Sequence, residues 1–180
     1  TTQTVIAALP KHLKIIDLSA DFRLNDVNEY ATWYGHEHRA PELQKEAVYG
    51  LAELARVAIK SARLIANPGC YPTSAILPLA PLLQARAIEK TGIIIDAKSG
   101  ITGAGRSAKQ ANLFSEIDGG ISAYGIAGHR HTPEIEQGLG GIQLTFTPHL
   151  MPMNRGILST IYVGCSDVAK ARDVLEKTYA

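Results

Sequence analysis

The sequence lacks several features that would assign a function class directly. It has two cysteines among 180 residues, far apart at Cys70 and Cys165, so it carries neither a disulfide framework nor a metal-binding knuckle. No apolar run reaches the about 18 residues of a membrane span. The 18 basic and 17 acidic residues are interspersed without a long basic run, which argues against nucleic acid as the main partner. We expect a reduced intracellular compartment.

A signal peptide and a nucleotide-binding fingerprint are also missing from these residues. The first segment, "TTQTVIAALPKHLK", lacks the basic start and the small-residue cleavage site of a signal peptide. No G-x-G-x-x-G follows a predicted first strand, although that motif holds the pyrophosphate in dinucleotide-binding domains. We therefore expect no signal peptide, and we expect this chain by itself to bind a dinucleotide only weakly.

The residues that are present predict a folded α/β protein. A hydrophobic fraction of 46% is enough for a core, and 180 residues make one domain, or one domain and part of another. Strand and helix patterns alternate over the first seventy residues, and strands dominate from Gly92 onward. The fold class is therefore α/β in residues 1–70, followed by α+β with an open sheet in residues 71–180.

The stretch "NPGCYPT" places Cys70 on a turn where a helix is predicted to begin. That helix should run to about Ala87, with Pro78 and Pro81 bending or shortening it. The free N–H groups of a helix N-terminus stabilise a thiolate, which is the nucleophilic form of cysteine. The alternative is a small buried hydrophobic residue, and the local sequence does not decide between the two. We assign the alternative role to Cys165, which ends a β-branched strand.

The stretch "GHRHTPEIEQ" concentrates ionisable groups at the predicted start of a short helix capped by Thr132. His129, Arg130, His131 and Glu134 all fall within six residues. A nucleophilic thiol needs an acid or base within reach, and a helix start attracts anions. The alternative is a solvated loop whose histidines cap the helix. The other histidines are interpreted as surface residues, namely His12, His36 and His38, or as structural, namely His149.

The stretch "SGITGAGRSAK" is a glycine-rich loop with Ser99, Thr102 and Arg106. Its backbone N–H groups could wrap a phosphate, although Lys109 is not placed as in a P-loop. A flexible connection between a strand and a helix would look similar. A thiol, a histidine pair, arginines and an anion-binding loop together fit a phosphorylated or carboxylated small substrate better than they fit a thiol protease.

The motifs together resemble those of the N-acetyl-gamma-glutamyl-phosphate reductase family of arginine biosynthesis. The resemblance rests on "IDLSADFRL", "NPGCYPT", "SGITGAGR", "HRHTPEIEQ" and "FTPHLMPMNRGI", which occur in the family's order and cover nearly the whole chain. Aspartate-semialdehyde and glyceraldehyde-phosphate dehydrogenases are related, but their cysteines usually lie in Asn-Cys-Thr or Ser-Cys-Thr-Thr. The "PGCYP" context therefore favours the N-acetylglutamyl branch.

The resemblance implies a mechanism. Cys70 attacks the acyl carbon of N-acetyl-glutamyl 5-phosphate, phosphate leaves, and a thioester remains. NADPH delivers a hydride, and the thiohemiacetal collapses to the semialdehyde. By motif position His129 is the acid/base, with His131 as the second choice. The residues implied in substrate binding are His131, Arg130, Glu134, Arg106 and Arg155, and those implied in cofactor binding are Ser99, Gly100, Gly103 and Gly105.

The resemblance also implies the domain organisation and the partners. Residues 1–70 correspond to the later part of a Rossmann-like nucleotide-binding domain. Residues 71–180 correspond to a catalytic and dimerisation domain like that of the glyceraldehyde-phosphate and aspartate-semialdehyde dehydrogenases. The cofactor is NADP(H), the substrate is a small acyl phosphate, and the protein forms a homo-oligomer, a dimer or tetramer. We expect no metal, nucleic acid or membrane partner, in a bacterial cytoplasm or a plant plastid stroma.

Two rival hypotheses remain open. One is a non-catalytic domain that keeps the fold for self-association. The other is a cysteine-dependent enzyme of another kind, either a different acyl-phosphate or semialdehyde dehydrogenase, or an acyl-transferase or hydrolase without cofactor. Thiol reactivity and nicotinamide dependence separate these hypotheses. Because the fingerprint is missing, the resemblance implies that the chain begins well inside the family's nucleotide-binding domain. The resemblance also implies that the chain ends before the family's last helical segment.

Overall fold

A computed structural model describes residues 1–105, 109–110 and 113–180 of the chain. The chain divides into two compact units, Thr1–Gly69 and Cys70–Ala180. Within the described residues, no helix combines the length and the apolar character needed to cross a membrane.

The first unit is built on a short parallel sheet with the strand order β1-β3-β2. Leu64 of the middle strand lies in register with Ile15 on one side and Ala47 on the other. Leu64 and Ala66 are fully buried, as expected for a parallel strand that is covered on both faces. The strands are β1 (Ile15–Asp17), β2 (Ala47–Tyr49) and β3 (Leu64–Ala66), and the helices are α1 (Thr2–Ala8), α2 (Val27–Tyr34), α3 (Pro41–Glu46) and α4 (Ala52–Ser61).

His38 is buried in this unit, so its assignment to the surface was wrong. Its Nδ1 accepts the Ala40 N–H at 3.1 Å, and its Nε2 lies 2.8 Å from the Asp21 carbonyl oxygen, to which it donates. The rings of Phe22 and Tyr30 pack edge-on against the imidazole. The polar neighbours of His38 in the sequence suggested exposure, but its partners come from the segment around Asp21, which the local pattern does not indicate.

The second unit is built on a mixed open sheet with the strand order β5-β6-β4-β7. β4 runs parallel to β6 and antiparallel to β7, and β5 pairs antiparallel with β6. Along β4, Ile95 and Ala97 are buried while Ile94 is exposed, because successive side chains point to opposite faces of a strand. The strands are β4 (Ile94–Gly100), β5 (Ser122–Ala123), β6 (Thr145–Met151) and β7 (Ile157–Tyr162), and the helices are α5 (Cys70–Gln84), α6 (Phe114–Ile117), α7 (His131–Gly138) and α8 (Val168–Tyr179).

Helix α5 packs against α7, α8 and β7 and carries Pro78 and Pro81 inside it. Pro81 has no N–H, so the Leu77 carbonyl lacks its usual helical donor. The Tyr179 hydroxyl of α8 donates to that carbonyl instead. The helix ends at Gln84 and not near Ala87, since the backbone turns into a left-handed conformation two residues later.

Two local assignments from the sequence were wrong. Thr132 does not cap α7, because the helix begins one residue earlier, at His131, with Arg130 in the cap position. The Thr132 N–H already donates to the His129 carbonyl at 2.9 Å, so Thr132 lies in the first turn. The segment predicted as a loop after β4 begins with a 3₁₀ turn, Ile101–Ala104.

Candidate active site

Cys70 is the first residue of α5, and it is exposed, so it is not a buried hydrophobic residue. The two residues before it, Pro68 and Gly69, are buried. The Asn67 N–H donates to the Asp17 carbonyl at 2.8 Å, and the Asn67 side-chain amide donates to the Pro68 carbonyl at 3.1 Å. The turn is therefore fixed where β3 ends, and it presents the thiol at the start of a helix.

Cys165 lies in a different environment. It is half-buried, and its thiol donates to the Ala87 carbonyl at 3.4 Å. A thiol that is engaged with the backbone in this way is less available as a nucleophile than an exposed one.

The histidine pair packs against the residue that follows Cys70. The Tyr71 ring centroid lies 5.7 Å from that of His129 and 5.9 Å from that of His131, and the two imidazoles are 4.9 Å apart. Phe146 of β6 closes the cluster at 5.2 Å from Tyr71 and 5.3 Å from His129. Tertiary packing thus brings together the "NPGCYPT" and "GHRHTPEIEQ" motifs, which are about sixty residues apart in the sequence.

Tyr71 and Tyr124 form a pair of hydroxyl groups beside the Cys70 thiol. This pair was not predicted from the sequence. Their hydroxyl oxygens are 3.0 Å apart, and both phenols interact electrostatically with Cys70. Burial raises the pKa of both phenols above its usual value, so both keep their protons at neutral pH. The presence of Tyr71 within "PGCYP" was a signal for one partner, whereas Tyr124 has no comparable signal in the sequence.

His129 is held neutral in this cluster. Its Nδ1 accepts the backbone N–H of His131 at 3.1 Å, which leaves the ring proton on Nε2. Burial, and next the positive charge of Arg130, lower the pKa of His129 from 6.5 to about 4. An imidazole in this state donates a hydrogen bond through Nε2 and does not carry a positive charge near pH 7.

The two other predicted residues of α7 differ in accessibility. Arg130 is exposed at the helix start, and Glu134 in the first turn is buried, with 1% of its surface accessible. Arg130 thus faces solvent, and Glu134 is enclosed by the protein.

The glycine-rich loop continues from the buried end of β4. The Ser99 hydroxyl interacts with the phenol of Tyr71, which links the loop to the aromatic cluster. A Cβ at Gly103 would meet the Ser99 Oγ at 2.5 Å, and Gly105 has a φ of +78° that disfavours side chains. Gly103 and Gly105 are exposed. The backbone of Gly103 therefore lies against Ser99, which contacts Tyr71 of the aromatic cluster.

The loop 153–156 between β6 and β7 packs on the glycine-rich loop. A Cβ at Gly100 would lie 2.7 Å from the backbone nitrogen of Arg155, so only glycine fits there. The Gly100 N–H donates to the Gly156 carbonyl at 2.9 Å. Arg155 itself is exposed. Arg106, the remaining predicted arginine, lies outside the described residues.

Comparison with known proteins identifies the second unit. The family model of the semialdehyde dehydrogenase dimerisation domain matches residues 70–180. The chain belongs to this family. The dimerisation domain thus begins at the exposed thiol, Cys70, and contains the histidine pair and the glycine-rich loop.

Curated relatives confirm the resemblance drawn from the motifs. The chain is 60% identical, over 99% of its length and 45% of the relative's, to a probable chloroplastic N-acetyl-gamma-glutamyl-phosphate reductase of Oryza sativa subsp. japonica. It is 58% identical, over 100% of its length and 55% of the relative's, to the N-acetyl-gamma-glutamyl-phosphate reductase of Rhodospirillum rubrum. The chain therefore spans about half the length of the curated relatives that it matches.

A solved structure confirms the predicted fold class. Aspartate semialdehyde dehydrogenase II from Vibrio cholerae superposes with a TM-score of 0.63 over 91% of this chain and 53% of that one, at 16% identity. At that identity the likeness concerns the fold, which is an α/β unit followed by a dimerisation domain with a mixed sheet.

Proposed function

We propose that the protein to which this chain belongs reduces N-acetyl-glutamyl 5-phosphate to N-acetyl-glutamate 5-semialdehyde and phosphate, with NADPH as the reductant, in arginine biosynthesis. The observation that carries the proposal is the exposed Cys70 thiol at the start of α5, next to the cluster of Tyr71, His129 and His131. The names of the curated relatives supply the substrate.

Cys70 is the proposed nucleophile. The N–H groups at the start of α5 stabilise its thiolate, which attacks the acyl carbon and forms a carbon–sulfur bond. The bond from that carbon to the phosphate oxygen breaks, and phosphate leaves with the electron pair. The product of this half-reaction is a thioester on Cys70 that the second half-reaction reduces and releases.

His129 is the proposed acid/base, with His131 as the second choice. Because the Nδ1 of His129 accepts the His131 N–H, Nε2 is the ring nitrogen that interacts with the substrate and exchanges a proton with it. The neutral Nε2–H donates a hydrogen bond to the acyl oxygen, where negative charge develops in each half-reaction. The aromatic edges of Tyr71 and Phe146 fix the plane of the ring, so this donor is held in place before the substrate arrives.

Arginines are proposed to hold the anionic ends of the substrate. Arg130 and Arg155 are exposed, and a planar guanidinium binds phosphate or carboxylate bidentately. The same role is proposed for Arg106 from the sequence motif alone, because Arg106 lies outside the described residues. Glu134 fits substrate binding less well, because its carboxylate is almost fully enclosed.

Ser99, Gly100, Gly103 and Gly105 are proposed to contact NADP(H). The exposed backbone of Gly103 and Gly105, with no side chain above Ser99, fits the close approach of a flat ring system. When bound, the cofactor supplies the hydride that reduces the thioester carbon. Ser99 and Tyr71, which interact with each other, form the floor beneath that loop.

Turnover and thiol labelling test this function together. In the full-length protein, Cys70→Ser should abolish NADPH-dependent reduction, and His129→Asn should lower turnover by about 10²–10⁴-fold. A mild alkylating reagent near neutral pH should label Cys70 much faster than Cys165, as measured by peptide mass spectrometry. Equal or reversed labelling would reject the nucleophile and favour the non-catalytic alternative. Loss of turnover in His131→Asn, with His129→Asn near wild type, would exchange the two histidines.

We also propose that the dimerisation domain pairs two copies of the chain through the outer face of its sheet. Ile94, Leu158 and Tyr162 are exposed on this one face, where Ile94 pairs with Tyr162 and Leu158 pairs with Lys98, four residues further along β4. The ion pair of Asp96 with Lys98 lies on the same face, and the His149 Nδ1 lies 3.2 Å from the Asp96 carboxylate there. An exposed apolar patch on a domain of this family fits a second copy of the chain.

Light scattering at micromolar concentration tests the assembly. The protein should have at least the mass of a dimer, and Leu158→Glu should halve that mass by placing a charge on a side chain that is 67% exposed on the patch. Val57→Glu is the matched control, because Val57 is an apolar residue of the first unit that is 84% exposed. A monomeric wild type would reject the proposal.

A further inference from the structure

A buried arginine joins the two loops that leave the sheet of the first unit. Arg23 is 9% exposed. Its Nε donates to the Asn67 carbonyl at 2.8 Å, and its Nη2 donates to the Leu18 carbonyl at 3.1 Å. Leu18 directly follows β1, and Asn67 directly follows β3. Because the two strands are parallel neighbours, both loops leave the same edge of the sheet, and one guanidinium spans them.

The loop that carries Arg23 is itself held firmly. The buried Asp17 accepts from the Ser19 N–H at 2.9 Å and from the Ser19 hydroxyl at 2.8 Å. Asp21 then receives the Tyr30 hydroxyl at 2.8 Å and the Gln3 N–H at 3.2 Å. The backbone of Arg23 therefore belongs to an anchored segment, and its guanidinium holds the carbonyls of Asn67 and Leu18 in place.

Two residues separate Asn67 from Cys70, and one of them is a proline. Pro68 has a restricted φ, and Pro68 and Gly69 are both buried. Cys70 follows them directly as the first residue of α5. In a covalent reaction, misplacement by about 1 Å can cost two orders of magnitude in rate.

We propose that Arg23 is a positioning residue for Cys70: it fixes the Asn67-Pro68-Gly69 turn from which the thiol is presented. The inference rests on the proposed function, in which Cys70 is the nucleophile. An arginine suits the role because its planar group donates to two carbonyls at once, whereas the single ammonium of lysine does not reproduce that geometry. Burying a cation is costly unless it is well bonded, so the two hydrogen bonds also account for the position of the charge.

Arg63 offers a matched control. It lies at the other end of β3, donates from Nε to the Lys11 carbonyl at 2.9 Å, and pairs with Glu46 at 2.8 Å. Arg63→Lys therefore makes the same chemical change to a carbonyl-bound arginine of the same unit, far along the strand from the turn at Asn67. An effect shared by the Arg23 and Arg63 variants would reflect general loosening of the first unit.

The test measures alkylation rates of Cys70, with Cys165 as the internal reference, using neutral iodoacetamide and anionic iodoacetate near neutral pH. Arg23→Lys and Arg23→Gln should both slow Cys70 by about three- to fivefold with either reagent, because a released turn no longer holds the thiolate at the free N–H groups that begin α5. Cys165 should change by less than about twofold, and Arg63→Lys should match wild type. Circular dichroism and thermal unfolding establish that each variant is folded.

The outcomes separate this inference from the proposed function. A wild-type Cys70 that reacts no faster than Cys165 would reject the nucleophile, and with it the positioning role. A reactive wild type with unchanged Arg23 variants would overturn the positioning role alone. If Cys70 in Arg23→Lys reacts as fast as in wild type, or if Arg23→Gln slows iodoacetate more than iodoacetamide, the positive charge of Arg23 would account for the effect. The positioning role would then be overturned. Variants of Arg23 without the wild-type circular dichroism would show a purely structural role and would also overturn the inference.

Discussion

Acidification should destabilise the fold through His129. The folded protein holds its imidazole neutral, with the pKa lowered from 6.5 to about 4 by burial and then by Arg130. The unfolded chain therefore binds a proton on this imidazole below about pH 6.5, whereas the folded protein binds it only near pH 4. A depressed pKa of this kind stabilises the fold fully above 6.5, and that contribution is lost as the pH falls toward 4.

The size of the effect follows from the two pKa values. A difference of about 2.5 pH units corresponds to an upper limit of about 3 kcal/mol in the free energy of unfolding. The imidazole is only half-buried, so solvent screening reduces this figure to about 1–2 kcal/mol. The hydrogen bond from the His131 N–H to Nδ1 adds a local reason, because a proton on Nδ1 removes the acceptor.

The assay is urea unfolding of wild type and His129→Gln at a series of pH values between 7.5 and 4.5. Other groups also titrate in this range, so the relevant quantity is the difference between the two proteins. The wild type should lose about 1–2 kcal/mol more than the variant across the range. His12→Gln is the control for loss of a histidine, since His12 is exposed and lies outside the aromatic cluster. Parallel curves for wild type and His129→Gln would refute the reasoning.

Three other predictions concern the loop, the helix pair and the cofactor. Gly100→Ala should lower the free energy of unfolding by about 1–3 kcal/mol, because its Cβ would lie 2.7 Å from the Arg155 backbone. Gly120→Ala should be nearly neutral, since its Cβ meets nothing closer than 3.7 Å, and an equal loss in both variants would contradict this. Tyr179→Phe should cost about 0.5–1 kcal/mol in urea unfolding by leaving the Leu77 carbonyl without its donor, and no change would show that water replaces it. The 180-residue chain alone should bind NADP(H) weakly in calorimetric titration, because it lacks the fingerprint loop, and micromolar affinity would contradict this.

The candidate site was predicted in part from the sequence. "NPGCYPT" predicted a turn that places Cys70 at a helix start, because Pro and Gly form turns, but the local sequence left open whether the thiol is exposed. "GHRHTPEIEQ" indicated a cluster of ionisable groups. Tyr124 and Arg23 were missed, since each acts through partners far away in the sequence: Tyr71 for Tyr124, and Asn67 for Arg23.

The sequence by itself determined the kind of protein: the alternation of strands and helices, the turn that carries Cys70 at a helix start, and the family that the motifs identify. These features are local, because turn residues and side-chain periodicity act over a few positions. The tertiary structure alone decided that His129 is neutral and which ring nitrogen carries its proton. That state depends on burial by Tyr71 and Phe146 and on one backbone N–H, and desolvation is set by atoms that only folding brings together.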